Sequence, residues 1–230
     1  MTVSSVLIVP GAWHKPDHYR PLIDALADFD VHILTLTSSG YEPAELRDMY
    51  ADADAIARAV ATYESVVVIA HSYGGVPTTQ ALTKARNVAR IIYLASFPLE
   101  AGESLVSLNP GSAPLPWSKR HRRRGIGDFV SVTTPESVFF NDLDRATAAH
   151  AVAQLGYQSY ASMRQPLTTT AWKTIPSTYI VCEADNAVPV AVQESLAERV
   201  DAVYRLSASH SPFLSQPAAL ARLIRQAVNA

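Results

Sequence analysis

Ser65-Val-Val-Val-Ile-Ala-His-Ser72-Tyr-Gly-Gly75 is the stretch on which the reading of this chain turns. Val66 to Ile69 is β-branched and apolar on both faces, which suits a strand in the middle of a sheet covered on each side. The run leads directly to Ser72, with a small residue two places before it (Ala70) and another two places after (Gly74). A serine that leaves a strand and enters a helix through a sharp turn needs small neighbours at those spacings, because larger side chains clash. Such a turn lifts the hydroxyl above the sheet edge, at a helix N-terminus where N–H groups support negative charge. The pattern predicts a nucleophilic serine; the competing reading is a Gly-rich helix entry that happens to carry an ordinary serine.

Outward from this stretch the same alternation repeats. Val6 to Val9, Val31 to Leu36, Ile91 to Leu94, Thr178 to Cys182 and Val203 to Leu206 are further short apolar runs. Between them lie helical stretches: Asp17 to Leu26, an Ala-rich segment from Pro43 through Tyr63, Gly74 to Arg86, Val190 to Val200, and Pro217 to Val228. Strands alternating with helices predict an α/β fold, a mostly parallel, doubly wound sheet of about six core strands with flanking helices. The alternation stops between Phe97 and Thr174. That segment opens with Pro98, Gly102, Pro110, Gly111, Pro114 and Pro116, continues through Lys119-Arg-His-Arg-Arg-Arg124, and carries a helical pattern from Asp142 to Leu155. It reads as a helix-and-loop insertion at about 98–174, a cap over a core formed by 1–97 and 175–230. Ligands bind at the carboxyl ends of strands in open α/β sheets, where such an insertion would sit.

Composition narrows the function. The 230 residues are 48% apolar and 17% charged, enough for one packed domain. A formal net charge of -2 gives no electrostatic basis for general nucleic-acid binding, and the basic run at 119–124, for which a nucleic-acid patch or recognition of a substrate carboxylate are the other readings, reads as a solvated loop. The apolar run at the start is too short for a signal peptide or a membrane span. A single cysteine, Cys182, closes no internal disulfide. The expectation is a cytoplasmic protein with a small-molecule substrate and neither nucleic acid nor membrane as partner. Oligomeric state stays open, a homodimer included. No His/Cys/Asp/Glu spacing suggests a metal, and no Gly-rich phosphate loop suggests a nucleotide, so no cofactor is expected.

A serine nucleophile needs a base, and the base an orienting carboxylate. Behind a strand–turn–helix serine these follow in the order acid, then base. Of seven histidines only His210 lies between the last strand run and the last helix. His32 falls in a strand, His150 in the insertion's helix, His18 and His121 in helical or basic surface stretches, and His14 and His71 too early in the chain. After Thr178 to Cys182 the acid is Asp185, on the loop before Pro189, or Glu183 nearer the strand end; Asp185 is favoured. Two donors are needed for an oxyanion. They are assigned to the backbone N–H groups of Tyr73 and, after Gly11 in the first loop, Ala12. Trp13 would line the pocket mouth or pack against the cap.

Four segments together resemble the methylesterase and hydroxynitrile lyase branch of the α/β-hydrolases, and its small bacterial hydrolase members in particular. Pro10-Gly11-Ala12-Trp13-His14 resembles the oxyanion loop of that branch, and Ala70-His71-Ser72-Tyr73-Gly74-Gly75 its nucleophile turn. Cys182-Glu-Ala-Asp185 through Gln193 resembles its acid loop, and Ser209-His210-Ser211-Pro212-Phe213-Leu214 its histidine loop. The likeness covers Val3 to Phe97 and Pro176 to Val228 and is weak in the cap. It implies the α/β-hydrolase fold, a helical cap over a mostly apolar pocket, no metal, and ester hydrolysis through Ser72, His210 and Asp185. Two positions depart from the branch. Pro10 stands where its commoner loop has His, and the Thr and Lys of its lyase members are here Gly11 and Ser211, which argues against cyanohydrin cleavage. Beside the esterase stand two other readings: a non-hydrolytic reaction at the same site (a lyase or cofactor-free aromatic chemistry), and a small-molecule receptor with slow turnover.

Overall fold

The structure is a computed structural model describing residues 5–108 and 117–230. The start of the N-terminal likeness at Val3, and Pro110, Gly111, Pro114 and Pro116 of the insertion, lie outside the described residues. Among the described residues the strands are, in chain order, β1 (Ser5–Val9), β2 (Asp30–Ile33), β3 (Ser39–Gly40), β4 (Val66–His71), β5 (Val88–Leu94), β6 (Ser118–His121), β7 (Phe129–Val132), β8 (Tyr157–Ser159), β9 (Ser177–Cys182) and β10 (Ala202–Leu206).

Six of them form one sheet in the order β10-β9-β5-β4-β1-β2, with every pair parallel. The reason is visible along β1 and β4. Leu7, Val9, Val66, Val68 and Ala70 pack into one apolar layer, while Val6, Ile8, Val67 and Ile69 pack into the layer on the opposite face. Alternate side chains of a strand point to opposite faces, so only a sheet covered on both sides buries runs like these. One layer is closed by the helices Arg20–Ala25 and Pro217–Val228; the latter buries Leu220, Ala221, Ile224 and Ala227, a single stripe at helical spacing. The other layer is closed by the helix Met49–Val60 and by the insertion, through Val130, Phe139 and Met163.

Three sequence expectations are corrected. The Ala-rich segment is not one helix from Pro43: a short 3₁₀ turn at Pro43–Glu45 ends, and the helix restarts after Asp48, whose carboxylate accepts the Ala51 N–H at 2.9 Å. An aspartate that captures orphan N–H groups is a strong start signal and outweighs propensity further upstream. The insertion is not only helix and loop. Strands β8, β7 and β6 form an antiparallel sheet whose far edge is β3 of the core, in the order β3-β8-β7-β6. These strands are short, and Ser118-Lys-Arg-His121 is polar, so apolar periodicity does not reveal them. The basic run is accordingly not all solvated loop: Lys119 to His121 lie in β6, with His121 stacked on Phe129 at 4.7 Å. The insertion's helix is present at Arg145–Ala153, started by Asp144. No helix among the described residues is long and apolar enough to cross a membrane.

Candidate active site

Strand β4 delivers Ser72 with a φ of 51°, in the left-handed region that non-glycine residues rarely occupy. The turn is held by what surrounds it. The Ser72 carbonyl accepts the Ser96 hydroxyl at 2.6 Å, and the Ser96 carbonyl accepts Tyr179 Oη–H at 2.7 Å. A Cβ on Gly74 would stand 2.5 Å from the Pro10 carbonyl oxygen and 2.6 Å from that of Val9. The small residue two places after the serine is therefore required by backbone of β1 and its loop, not by the serine alone.

His210 follows β10 and is buried. Its Nδ1 lies 2.7 Å from Asp185 Oδ2, and since a carboxylate only accepts, Nδ1 carries a proton; in the neutral ring that leaves Nε2 with the lone pair. Asp185 does two things at once. Its Oδ1 accepts the N–H groups of Ala187 and Val188 at 2.7 and 2.9 Å, which shapes the acid loop, while Oδ2 is shared by His210 and Gln193 Nε2. Glu183 is instead a surface residue beside Arg205, 3.9 Å away. Ser72, Tyr73, Ala12 and His210 all line one cavity of about 390 Å³ beneath the insertion. Among the described residues no hydrogen bond joins the Ser72 hydroxyl to the imidazole; such bonds are often long outside the Michaelis complex.

The model of the alpha/beta hydrolase family matches residues 6–223. The chain is 30% identical over 244 residues to the alpha/beta hydrolase nvfD of Aspergillus novofumigatus, with 99% of this chain and 97% of that protein covered. This chain belongs to the alpha/beta hydrolase family. In fold it is similar to a pyrethroid hydrolase from Sphingobium faniae (TM-score 0.82, 23% identity, 100% and 98% of the two chains). It is likewise similar to a methylesterase from Arabidopsis (TM-score 0.84, 20% identity, 99% of each chain).

Within this alpha/beta hydrolase, sequence reading missed the residues that hold the loops to one another. His71 Nε2–H donates to the His210 carbonyl at 3.0 Å, while its Nδ1 accepts Tyr19 Oη–H at 2.8 Å. Tyr19 Oη in turn accepts the Gly11 N–H at 3.0 Å, so one side-chain pair ties the first loop, the serine turn and the histidine loop together. His14 makes a second tie: Nδ1–H donates to the Ala12 carbonyl at 3.0 Å, and Nε2 accepts the Ser211 hydroxyl at 3.2 Å. Burial holds both His14 and His71 well below the ordinary histidine range, and the neighbouring histidines push the same way. His18, expected in a helical stretch, is in one (Pro16–Tyr19) but buried, donating from Nε2 to the Ala151 carbonyl of the insertion.

The Tyr73 hydroxyl is anchored by Asp52 Oδ2, which accepts it at 2.8 Å. Burial raises the Asp52 carboxyl, and its contacts with Thr37, Ser38 and Tyr73 oppose that rise. Trp13 fills both roles offered for it, lining the cavity and donating Nε1–H to the Val130 carbonyl of β7 at 2.8 Å. At Gly11 a Cβ would sit 2.7 Å from His71 Nδ1 and 3.0 Å from Ser72 Cβ, so the position has no room for a threonine. Among the described residues no group of His, Cys, Asp and Glu is arranged to hold a metal.

Proposed function

We propose that this hydrolase cleaves a carboxylic ester of a small, largely apolar molecule through an acyl-enzyme on Ser72. The observation that carries the reading is the buried 2.7 Å bond between His210 Nδ1 and Asp185 Oδ2, on the same cavity as a serine with a φ of 51°. Ser72 Oγ attacks the ester carbonyl as its proton passes to His210 Nε2. The carbonyl oxygen becomes an oxyanion between the N–H groups of Ala12 and Tyr73. The tetrahedral species collapses, His210 returns the proton to the leaving alcohol, and a water activated in the same way releases the acid. Asp185 keeps the imidazole in the tautomer this requires and stabilises its protonated form.

The cavity wall supports an apolar substrate: Trp13, Phe97, Trp117, Phe139 and Met163 dominate it. The chain acts as a single domain, the core 1–97 and 175–230 supplying the reacting groups and the cap 98–174 closing the cavity. The activity is assigned to the cytoplasm, where a fold whose one cysteine is buried and free needs no oxidation.

The test is a p-nitrophenyl ester series from acetyl to decanoyl, with Ser72→Ala beside the wild type. The variant should lose at least about a thousandfold in kcat while keeping its fold. Retained turnover in a folded Ser72→Ala protein overturns the assignment of the nucleophile, and a folded wild type inert on every ester overturns the reaction.

A further inference from the structure

Arg120 stands out on the cavity wall. Among the described lining residues it is the only Lys, Arg, Asp or Glu. It comes from β6 of the insertion, the strand that apolar patterning did not reveal. Its guanidinium is fixed from two sides. Nε donates to Asp128 Oδ2 at 2.8 Å, and Nη2 contacts the same oxygen. The Tyr160 ring lies under the guanidinium, 3.8 Å from centroid to Cζ, and Tyr160 N–H donates to the Asp128 carbonyl at 3.0 Å. Arg120 pairs in register with Val130 of β7, itself a lining residue, so the hairpin that carries Arg120 and Asp128 is part of the cavity wall. Asp128 thus occupies one edge of the fork, and Nη1 has no hydrogen-bond partner among the described residues.

The Arg120 side chain is 24% exposed, so water meets the free guanidinium edge, and a ligand that displaces that water must offer an acceptor in its place. Polar groups placed singly in apolar pockets fix the orientation of a ligand. The ion pair with Asp128 is already neutral as a unit, so an uncharged oxygen can accept from the free edge without electrostatic penalty. A carboxylate there would share the guanidinium with Asp128 and repel it.

The geometry points to Arg120 as a specificity-determining residue that donates, away from the scissile ester, to an uncharged acceptor oxygen of the substrate such as a ketone, lactone or amide carbonyl. The inference rests on the esterase reading and adds a class to it: an apolar ester with one remote neutral carbonyl, in preference to a plain alkyl ester or to a half-ester of a dicarboxylic acid.

The experiment is a competition assay. Each enzyme receives p-nitrophenyl esters matched in length from six to twelve carbons, as a plain alkanoyl chain, an oxo-alkanoyl chain with the ketone near its far end, and a chain ending in carboxylate. Ratios of kcat/KM between substrates on one preparation do not depend on how much of it is folded. In the wild type the oxo ester should lead its alkyl match by about tenfold at the best length, and the carboxylate ester should trail both. Arg120→Met should bring the oxo-to-alkyl ratio near one. Asp128→Asn should raise the carboxylate ester relative to the oxo ester. A ratio unchanged by Arg120→Met, or a wild type that favours the carboxylate ester, overturns the inference while leaving the esterase intact. A folded wild type that turns over none of the three overturns the esterase reading itself.

Discussion

His71, the residue before the proposed nucleophile, donates from Nε2 to the backbone carbonyl of His210, the proposed base, at 3.0 Å. Two loops 139 residues apart in the chain are joined by this bond. The ring that makes it is itself oriented by Tyr19, which also accepts the Gly11 N–H. The proposed positions of attack, proton transfer and oxyanion support are therefore set against one another by side chains that are not among the described lining residues of the cavity.

Replacing His71 by Phe removes both bonds and keeps an aromatic ring. The expected result is a fall in kcat of about 10- to 100-fold with KM changed less than threefold, because His71 is not among the described residues that line the cavity. His71→Gln, which can still donate to the His210 carbonyl, should recover part of the loss. Equal effects of the two variants on kcat would refute the positioning role.

Folding should weaken in acid from a window that the buried histidines set. His14 and His71 titrate well below 6.5 in the fold, chiefly through burial. Below pH 6.5 the unfolded chain gains protons that the folded chain does not, so stability falls as pH drops, by up to about 1.4 kcal/mol per unit for each histidine. Asp52, raised by burial, acts with the opposite sign. The unfolding midpoint measured from pH 8 to 5 should decline below 6.5, and His14→Gln should flatten that decline.

Gly74→Ala should destabilise the fold by at least about 3 kcal/mol. Its Cβ would lie 2.5 and 2.6 Å from two backbone carbonyl oxygens, which cannot rotate away. Gly102→Ala is the control: φ is +90° but nothing lies within 4 Å, so only conformational strain of about 1–2 kcal/mol applies. Urea midpoints of the two variants should rank in that order.

Gln193→Leu tests the acid loop. The side chain accepts the Cys182 N–H at 3.0 Å and donates to the Val188 carbonyl and to Asp185 Oδ2. Losing it leaves buried groups unpaired, at about 2–3 kcal/mol, and frees Asp185 on one side. Both the urea midpoint and kcat should drop. A variant that loses stability but not kcat would separate Gln193 from the orientation of Asp185.

The legible parts of this protein are those where local chemistry leaves one solution. The six core strands were readable because Val6 to Val9 or Val66 to Ile69 can be buried on both faces only in a covered parallel sheet. The proposed reacting residues Ser72, His210 and Asp185 could be picked out because each follows a strand, in the chain order that the α/β-hydrolase resemblance implies. The second sheet escaped because β6 is polar and β3 has two residues. The pairing of β3 depends on a partner more than a hundred positions away (Ser39 with Gln158). Asp48 did advertise a helix start, and Pro43, a residue at home in a first turn, suggested an earlier one.

By itself, then, the sequence determined the sheet, the turn at Ser72 and the positions of the three proposed reacting residues, since periodicity and turn chemistry act over a few residues. Only the tertiary structure decided how the loops brace one another through His71, Tyr19 and His14, that Gly11 leaves no room for a side chain, and that Arg120 belongs to the cavity wall. Those are contacts between segments far apart in the chain, and they exist only once the core has fixed where each segment lies.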